Sequence, residues 1–556
     1  MEKIRKNLTI ILIVLFAFVL RFWQLNNYPA LNADEAAIGY NAYSLIQTGL
    51  DEHGNSWPIH FQSFNDYKPG LYFYLVLPFV KFLGLNEWAV RIPGATLGVM
   101  TVLALYFLVK ELFPRKELRI MNYELGVSEI AALFLAISPW HIHFSRGGWE
   151  VNAATFFVIA GIFFFLKGLK NPKLLVISSL FLVASLYTYH AARIISPLII
   201  VGALFIYRGE IKKNLKPFLV SALVALTLLI PLLLDFTRGG ALSRAAGVGL
   251  FADPGPLNRI NEERGEHPDF AGKAAKLVHN KAVNYGLAFA KNWADHFHGE
   301  FLFLSGDAIQ RDKVPETGQM YLFDILFLLI GLVAIAKLPK CPDGLKLILY
   351  WLLIAPTAAA LTFQSPHALR DHNMVIPLVI ISSLGLVKLV EIGQTYIKNK
   401  NLLTTFYLLL ATLIVWQFAR YEHMYWNHMA KEYPFSSQYG LKELAAYVKE
   451  NQDNYQKIVI TDRYDQPYIL FLFYLKYSPI QFQKEHSLTQ RDGFGFSTVR
   501  DFGKFSFVSV SNWNDLRVKY PNALIAGTEE EIPEEANIIK EIYGSNGYKY
   551  FQLVAN

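Results

Sequence analysis

Residues 8–35 have the sequence LTIILIVLFAFVLRFWQLNNYPALNADE, an apolar segment that runs directly into a polar one. A basic N-terminus, MEKIRKN, precedes this segment and no small-residue cleavage site follows it. We therefore predict a retained membrane span from Leu8 to about Leu25, with the N-terminus inside. The whole chain is also apolar, because 53% of its 556 residues are hydrophobic and only 17% are charged, against roughly 25% charged in soluble proteins. This composition excludes a disordered chain and predicts a polytopic α-helical membrane protein.

Ten further apolar stretches are long enough to cross about 30 Å of hydrocarbon. Lys and Arg accumulate in every second loop, whereas the short loops assigned to the outside carry one each, Arg146, Arg193 and Arg370. With about eleven spans and the N-terminus inside, the positive-inside rule places the C-terminus outside. The ten stretches lie near residues 92–113, 126–144, 152–169, 173–189, 191–207, 217–235, 319–336, 345–363, 374–393 and 402–419.

Two of the predicted outer loops are long, 26–91 and 236–318, and a polar region follows the last span. We assign residues 1–420 to the transmembrane part and predict that residues 421–556 form a small extracytoplasmic α/β domain. Its signals are the β-like runs KIVIT (457–461), FSFVSV (505–510) and ALIAGT (523–528), the helical LKELAAYVKEN (441–451), and a hairpin with Asn-Gly at its turn (543–554).

Ionisable residues concentrate at the outer ends of the predicted spans, where their cost makes them functional candidates. Asn32 or Asp34 can cap a helix that starts at Glu35 and ends near Gly49. Capping and the helix dipole explain the acidic pair structurally, and the alternative is that Asp34 is a catalytic base. Lys68 precedes a proline, so its backbone is expected to be extended. Its side chain either snorkels to lipid headgroups or contacts an anionic substrate.

Three more outer segments are rich in histidine and charge. The segment WADHFHGE offers Asp295, His296, His298 and Glu300 as candidate ligands of a divalent metal, although a solvated interfacial loop is the simpler interpretation. The other two, SPWHIHFSRGGWEVN (138–152) and SPHALRDHN (365–373), contain His141, His143, Arg146, Glu150, His367, Arg370, Asp371 and His372.

Other site classes have weak support in the sequence. Cys341 is the only cysteine, so there is no disulfide framework and no cysteine-based metal site. No G-x-x-x-x-G-K-[ST] occurs, and the G-x-G-x-x-A match at 247–252 has no preceding strand. ATP-driven transport and a nucleotide substrate are therefore disfavoured.

The order of these elements resembles glycosyltransferase family 39, the group of protein O-mannosyltransferases and aminoarabinose transferases with the GT-C fold. After the first span come the Asp34-Glu35 pair and the element N-D-Y-K-P-G-L-Y at 65–72. The similarity covers about the first 150 residues, and FLFLSGD at 301–307 is a separate segment similar to bacterial and archaeal members. The first 150 residues also include a G-x-x-E-x-x-x-R-x-P pattern formed by Gly84, Glu87, Arg91 and Pro93.

The resemblance implies transfer of a sugar, with inversion, from a polyprenyl or dolichyl phosphate to an acceptor hydroxyl outside the membrane. It implies that Asp34 is the catalytic carboxylate and that Lys68 contacts the donor phosphate, although Gly70 stands where many members have a second proline. Glu35 and Glu150 are expected as supporting acids. Cations can stabilise a departing phosphate, and the outer-face cations assigned to it are Lys68, Arg146 and Arg370. The possible substrate contacts are His143, His367 and Tyr67.

We therefore predict a multi-pass glycosyltransferase in the plasma membrane of a bacterium or archaeon, with its active site facing outside. Its partners are a polyprenyl-phosphate-linked sugar, a protein, lipid or glycan acceptor, and membrane lipids, and no nucleic acid. Because cations can stabilise the phosphate, a divalent metal is optional. The alternatives are an oligosaccharyltransferase or polysaccharide ligase of similar fold, and a transporter or lipid flippase, although no inverted repeat supports the last. The 421–556 domain either selects the acceptor or caps the fold.

Overall fold

Apolar runs of sequence form the helices of the transmembrane part. The computed structural model describes residues 2–64, 66–113, 117–120, 123–237, 247–269, 272–433, 436, 438–492 and 496–556. The helices up to residue 236 are α1 Glu2–Phe22, α2 Ala33–Thr48, α3 Leu71–Leu83, α4 Glu87–Leu112, α5 Val127–Ile137, α6 Pro139–Ser145, α7 Glu150–Lys170, α8 Leu174–Thr188, α9 Ala192–Ile206, α10 Arg208–Lys213 and α11 Leu215–Phe236.

Further helices follow in the second long loop, the later spans and the C-terminal region. They are α12 Gly255–Gly265, α13 Lys273–Val278, α14 Lys281–Asp295, α15 Leu322–Ala336, α16 Asp343–Ile354, α17 Thr357–Ala360, α18 Val375–Tyr396, α19 Lys400–His423, α20 Met429–Glu432, α21 Leu441–Asn451, α22 Pro467–Leu475, α23 Pro479–Glu485 and α24 Trp513–Lys519. Short 3₁₀ turns lie at Leu250–Ala252, Gln310–Asp312, His372–Met374 and Gln452–Asn454, and π-helical turns at Glu300–Leu304 and Met424–His428.

Each of the eleven predicted apolar stretches coincides with an apolar helix. In the described part of the chain, six helices are long and apolar enough to span a membrane, and α5 with α6 makes a seventh if this bent pair is one span. The other four stretches correspond to shorter apolar helices, namely Leu8–Phe22 of α1, α8, α9 and α15. The structure adds one more short apolar helix, α3, inside the predicted outer loop 26–91. The chain is thus a multi-pass membrane protein, while the number and orientation of its spans stay predictions.

The stretch 126–144 is broken rather than straight, because α5 and α6 meet at an angle of 58°. Pro139 at the start of α6 has no N–H to continue the hydrogen bonding of α5. The Ser138 side chain caps α6 by accepting a hydrogen bond from the His141 N–H at 3.3 Å. The break turns the short helix that carries His143 into the protein interior, where this histidine is buried.

The cap and end of α2 and the extended backbone at Lys68 agree with the predictions for the loop 26–91. The Asn32 side chain caps α2 by accepting from the Glu35 N–H at 3.0 Å, and Gly49 ends it with φ at +72°. Lys68 is extended, as its proline neighbour indicates, and is paired with Phe61 in an antiparallel hairpin. This hairpin consists of β1 His60–Ser63 and β2 Asp66–Pro69.

The C-terminal region contains a mixed sheet of six strands in the order β6-β7-β5-β8-β10-β9. Strands β7, β5 and β8 are parallel, and the Asn-Gly hairpin pairs β9 with β10. The predicted runs at 457–461 and 441–451 form β5 and α21. The strands of this sheet are β5 Lys457–Thr461, β6 Asp501–Phe502, β7 Phe505–Val508, β8 Ala523–Gly527, β9 Ile538–Tyr543 and β10 Lys549–Ala555. Elsewhere in the chain, β3 Glu117–Ile120 and β4 Tyr123–Gly126 form a separate hairpin.

This sheet and the first outer loop share one apolar core, which includes Phe61, Tyr468 and Phe551. Helix α22 packs against α2 at Gly39, where a Cβ would come within 2.6 Å of the Phe473 ring. Only glycine allows so close an approach. The shared core fixes the start of α2, and therefore Asp34, between the apolar helices and the C-terminal sheet.

Candidate active site

A cavity of about 140 Å³ lies where the start of α2, the hairpin strand β2, the start of α7 and the loop after β5 meet. Its wall combines aromatic side chains with charged groups of both signs. The charged lining residues are Asp34, Asp66, Lys68, Glu150, Arg311 and Asp465.

Asp34 lies between two cations in this cavity. Lys68 Nζ forms an ion pair with Asp34 Oδ1, and Arg311 Nη1 donates to Asp34 Oδ2 at 3.4 Å. Burial alone would lower the pKa of Lys68, but the carboxylates of Asp34 and Glu150 outweigh it and hold that pKa above its usual 10.5. Lys68 is therefore positively charged at neutral pH, next to a partly exposed carboxylate.

The hairpin decides which neighbours of Lys68 face the cavity. Side chains alternate along a strand, so Asp66 and Lys68 line the cavity and the intervening Tyr67 does not. The Lys68 ammonium also lies 5.3 Å from the centre of the Phe64 ring, a cation–π distance. The sequence hypothesis that Tyr67 contacts substrate has no support from this placement.

Glu35 links the start of α2 to other segments around the cavity. Both of its oxygens accept from the Arg91 guanidinium at 2.7 Å, and Oε1 also accepts from the Gly148 N–H at 2.8 Å. Its side chain is 1% exposed. These contacts tie the start of α2 to α4 and to the turn before α7, so Glu35 supports the fold of the site while Asp34 faces the cavity. Glu150, at the first position of α7, lines the cavity as an acidic neighbour of Lys68.

The two arginines assigned to the donor phosphate are engaged elsewhere. Arg146 donates to the Tyr425 hydroxyl and to the carbonyls of Leu20, Trp23 and Tyr28, and its side chain is buried. Neither it nor Arg370 is among the residues that line the cavity. The arginine that does line it is Arg311, which the sequence hypotheses did not include. Arg370 Nη1 and Nη2 donate to Thr362 and Gln364 at 2.6 and 3.0 Å.

The two histidines proposed as substrate contacts both lie near Arg311. His143 Nε2 donates to the Arg311 carbonyl at 2.8 Å and lines a second cavity of about 30 Å³ beside the first. His367 does not line the main cavity and is buried 3.5 Å from Asp307 and 3.6 Å from Asp312. Burial lowers the pKa of His367 to about 4, and burial with the nearby Asp307 raises the pKa of Asp312 to about 7.

The four residues suggested as metal ligands within 293–300 are not gathered around one point. Asp295 pairs with Lys291 at 2.8 Å. His296 is buried, where its Nδ1 donates to the Asn292 carbonyl at 2.8 Å, and burial lowers its pKa to about 4. The Glu300 carboxylate accepts from Ser305, and His298 Nδ1 accepts from the Glu300 N–H at 3.3 Å.

Asp465 comes from the C-terminal region and was missed by the sequence analysis. It follows strand β5 in the segment TDRYDQP, and the loops at the carboxyl edge of parallel strands are where ligands bind in open α/β sheets. Burial and the neighbouring Asp34 raise the pKa of Asp465, while Arg311 and Lys68 act in the opposite direction. Gln438 fixes this loop, because its amide accepts from the Ala33 N–H and donates to the Asp465 carbonyl, both at 2.6 Å.

Two sequence comparisons each match a part of this chain. Residues 11–186 match the family model described as dolichyl-phosphate-mannose-protein mannosyltransferase. The putative mannosyltransferase YycA of Bacillus subtilis (strain 168) is 28% identical over 163 residues, 29% of this chain. The chain thus spans only 22% of that relative.

Solved structures match over a much larger part of the chain. ArnT from Cupriavidus metallidurans in the apo state matches with a TM-score of 0.54 at 12% identity, and the match covers 98% of this chain and 97% of the ArnT chain. The chain has the GT-C fold. ArnT bound to undecaprenyl phosphate gives 0.53 over the same shares. The archaeal oligosaccharyltransferase AglB from Archaeoglobus fulgidus, in complex with an inhibitory peptide and a dolichol-phosphate, gives 0.50 at 15% identity, over 85% of this chain and 64% of that one.

These matches confirm the resemblance to family 39 that the motifs indicate. The matched segment 11–186 contains Asp34, Lys68 and Glu150, and not Arg311 or Asp465. The cavity at Asp34 therefore joins residues from the matched segment to residues from parts of the chain outside it.

Proposed function

We propose that this chain transfers a sugar from a polyprenyl-phosphate donor to an acceptor hydroxyl on the outer face of the membrane, with inversion at the anomeric carbon. The observation that carries the proposal is the Asp34 carboxylate held between Lys68 and Arg311 at a cavity. The undecaprenyl phosphate of ArnT and the dolichol-phosphate of AglB support a lipid-phosphate donor on this fold.

The two cations suit the phosphate of such a donor. In the transfer, the bond between the anomeric carbon and the phosphate oxygen breaks, and the phosphate leaves with additional negative charge. Lys68 and Arg311 stabilise that charge, and an arginine suits phosphate oxygens through its planar set of donors. Since both cations also contact Asp34, an arriving phosphate competes with this carboxylate for them.

Asp34 then acts as the general base. Once the phosphate takes over part of the cation contacts, the carboxylate is available to accept the proton of the acceptor hydroxyl as its oxygen attacks the anomeric carbon. Attack from the face opposite the leaving phosphate gives inversion. The placement of carboxylate and cations in one cavity supports this division of roles.

The acceptor is proposed to arrive across the C-terminal region. A polar cleft of about 520 Å³ at the carboxyl edge of the sheet shares Asp465, Gln466 and Phe496 with the Asp34 cavity. An acceptor bound in this cleft would lie next to the Asp34 cavity. This proximity favours a role of residues 421–556 in acceptor selection over a role as a cap alone.

We propose that the unit transferred is one sugar, with a preassembled glycan as the alternative that the donor panel tests. The proposed location is the plasma membrane of a bacterium or archaeon, with the active site at the outer face.

The test is transfer of radiolabelled sugar from a panel of polyprenyl-phosphate sugars by purified protein, with a membrane extract as acceptor source. We expect transfer by the wild type and a loss of about 10²–10⁴-fold in the rate for Asp34→Asn, because a general base is removed. Asp343→Asn, at a half-exposed residue paired with Lys346 at the start of α16, is the matched control.

Each other outcome points to a different conclusion. A wild-type rate in Asp34→Asn removes this residue from the mechanism. Use of a lipid-linked oligosaccharide but of no single-sugar donor indicates the oligosaccharyltransferase alternative. Failure to bind any donor in the panel contradicts the proposal and favours the transporter.

A further inference from the structure

Asp307, Asp312 and His367 form a buried cluster outside the Asp34 cavity. The two aspartates come from the segment that carries Arg311, and His367 comes from the SPHALRD segment before α18. The side chains of both aspartates are fully buried, and that of His367 is 5% exposed. One ligand atom from each residue lies within 4.8 Å of the other two, and no other such group of three occurs among the described residues.

Two members of the cluster, Asp312 and His367, have buried polar atoms that lack hydrogen bonds. Neither carboxylate oxygen of Asp312 has a hydrogen-bond partner, and neither has Nδ1 of His367. The nearest guanidinium atom of Arg311, Nε, is 4.0 Å from Asp312 Oδ1, beyond hydrogen-bond range. A buried carboxylate without donors is strongly unfavourable unless it is protonated or bound to a cation.

The two distances from His367 to the aspartates match the spacing of ligands around a small cation. His367 Nδ1 lies 3.5 Å from Asp307 Oδ2 and 3.6 Å from Asp312 Oδ2. Ligands at about 2.0–2.2 Å from a tetrahedral zinc ion are about 3.3–3.6 Å from each other. Two carboxylates and one imidazole are also a ligand set that zinc accepts, whereas Mg²⁺ and Ca²⁺ prefer oxygen ligands alone.

We propose that Asp307, Asp312 and His367 bind a divalent transition-metal ion, with Zn²⁺ as the best match. The surrounding groups hold two of the ligands in place, as outer contacts of metal ligands generally do. Asp307 accepts from the N–H groups of Ile309 and Ala368 at 2.8 and 2.5 Å. His296 Nε2 accepts a hydrogen bond from the main-chain N–H of His367 at 3.2 Å.

The ion has a positioning role in this arrangement. It ties the segment 307–312 to the segment that carries His367, and Arg311 precedes the ligand Asp312 directly in sequence. None of the three ligands lines the Asp34 cavity, so the ion does not contact the donor phosphate. The proposal is independent of the sugar-transfer reaction, since it concerns metal binding alone.

The first test measures Zn²⁺ binding by full-length protein in detergent, purified through a streptavidin-binding tag so that no polyhistidine is present. After chelator treatment, we expect calorimetric titration and elemental analysis to give about one Zn²⁺ per chain. Asp312→Asn and His367→Gln should weaken binding by more than about 100-fold, beyond the effect typical of an outer contact. Asp295→Asn and His298→Gln, from the segment 293–300, are the matched controls and should bind Zn²⁺ as the wild type does.

Two results would overturn the proposal. One is a wild type that retains and binds no Zn²⁺. The other is binding that survives Asp312→Asn and His367→Gln but is lost in Asp34→Asn or Glu150→Gln, which would place the ion in the main cavity.

X-ray absorption at the zinc edge of the wild type provides a test that needs no variant. We expect one imidazole and otherwise oxygen ligands at about 2.0–2.2 Å. A first shell without imidazole overturns the assignment even if the ligand variants fail to fold.

Discussion

Lys68 and Asp34 form a direct ion pair between strand β2 and the first turn of helix α2. The pair is formed by two segments that differ in structure, an extended hairpin strand and a capped helix. Both segments are fixed by their own local sequence, through the proline after Lys68 and the Asn32 cap. The pair therefore sets the distance between the proposed base and the proposed phosphate contact before any donor binds.

Lys68→Ala should weaken donor binding. Loss of a charged hydrogen bond to phosphate costs about 1.5–3 kcal/mol, which corresponds to an increase of about 10- to 100-fold in the Kd for the polyprenyl-phosphate donor. Equilibrium binding of a labelled donor measures this change. Lys442→Ala, at an exposed lysine paired with Glu87, is the control.

A comparison of two arginines checks the same assignment. Arg311→Lys should also weaken donor binding, whereas Arg370→Lys should leave the donor Kd near that of the wild type, because Arg370 contacts Thr362 and Gln364 instead. If Lys68→Ala changes only the kinetics of the acceptor, the phosphate assignment is wrong.

Asp465→Asn should act on the acceptor and not on the donor. Asp465 lines both the Asp34 cavity and the cleft at the sheet edge, so loss of its charge should raise the acceptor KM by about tenfold. Steady-state kinetics at saturating donor measure this value. Asp453→Asn, at an almost fully exposed residue, is the control. An unchanged acceptor KM together with a raised donor Kd would assign Asp465 to the donor side.

Gly39→Ala should destabilise the fold. A methyl group there meets the Phe473 ring at 2.6 Å and the Val90 side chain at 2.7 Å, and overpacking of this kind costs about 1–3 kcal/mol. Thermal unfolding in detergent should show a lower Tm. Gly286→Ala in α14 is the matched control, because a methyl group there meets nothing within 4 Å and alanine is the better helix former. Equal Tm values for both variants would show that α2 and α22 do not pack this closely.

Glu52→Gln should reduce the dependence of stability on pH. Burial raises the pKa of Glu52 from 4.5 to about 8. Between these values the folded state binds more protons than the unfolded state, so the stability of the wild type falls as pH rises from about 5 to 8. The neutral glutamine removes this contribution, and the drop in Tm between pH 6 and pH 9 should shrink. Glu316→Gln, at an exposed glutamate, should leave the drop unchanged.

Local signals in the sequence predicted much of the fold. Each apolar stretch became a helix because its length and composition allow few other structures in a membrane. The cap and end of α2, the extended Lys68 and the strand at 457–461 also depend on nearby residues alone. The break before α6 was missed, although Pro139 in an apolar run is a known cause of such breaks.

The site was only partly predictable, because sequence gives the charge of a residue and not the direction in which its side chain points. Arg146 and Arg370 were assigned to the phosphate from their charge and sidedness, yet their guanidinium groups bind carbonyls, hydroxyls and an amide oxygen. Arg311 and Asp465 lie far from Asp34 in sequence and reach it only through tertiary folding. Their one sequence signal is the position of Asp465 after a predicted strand.

The two hydrogen bonds of the Gln438 amide limit which segments can be exchanged between this chain and a relative. Its single amide satisfies one main-chain group at Ala33 and one at Asp465. A chimera that takes residues 421–556 from a relative without a glutamine at this position loses this bridge and leaves the buried N–H of Ala33 unsatisfied, at a cost of about 1–3 kcal/mol. The exchanged region should therefore include helix α2 as well as residues 421–556. A chimera made to change the acceptor would then also replace the proposed base, Asp34.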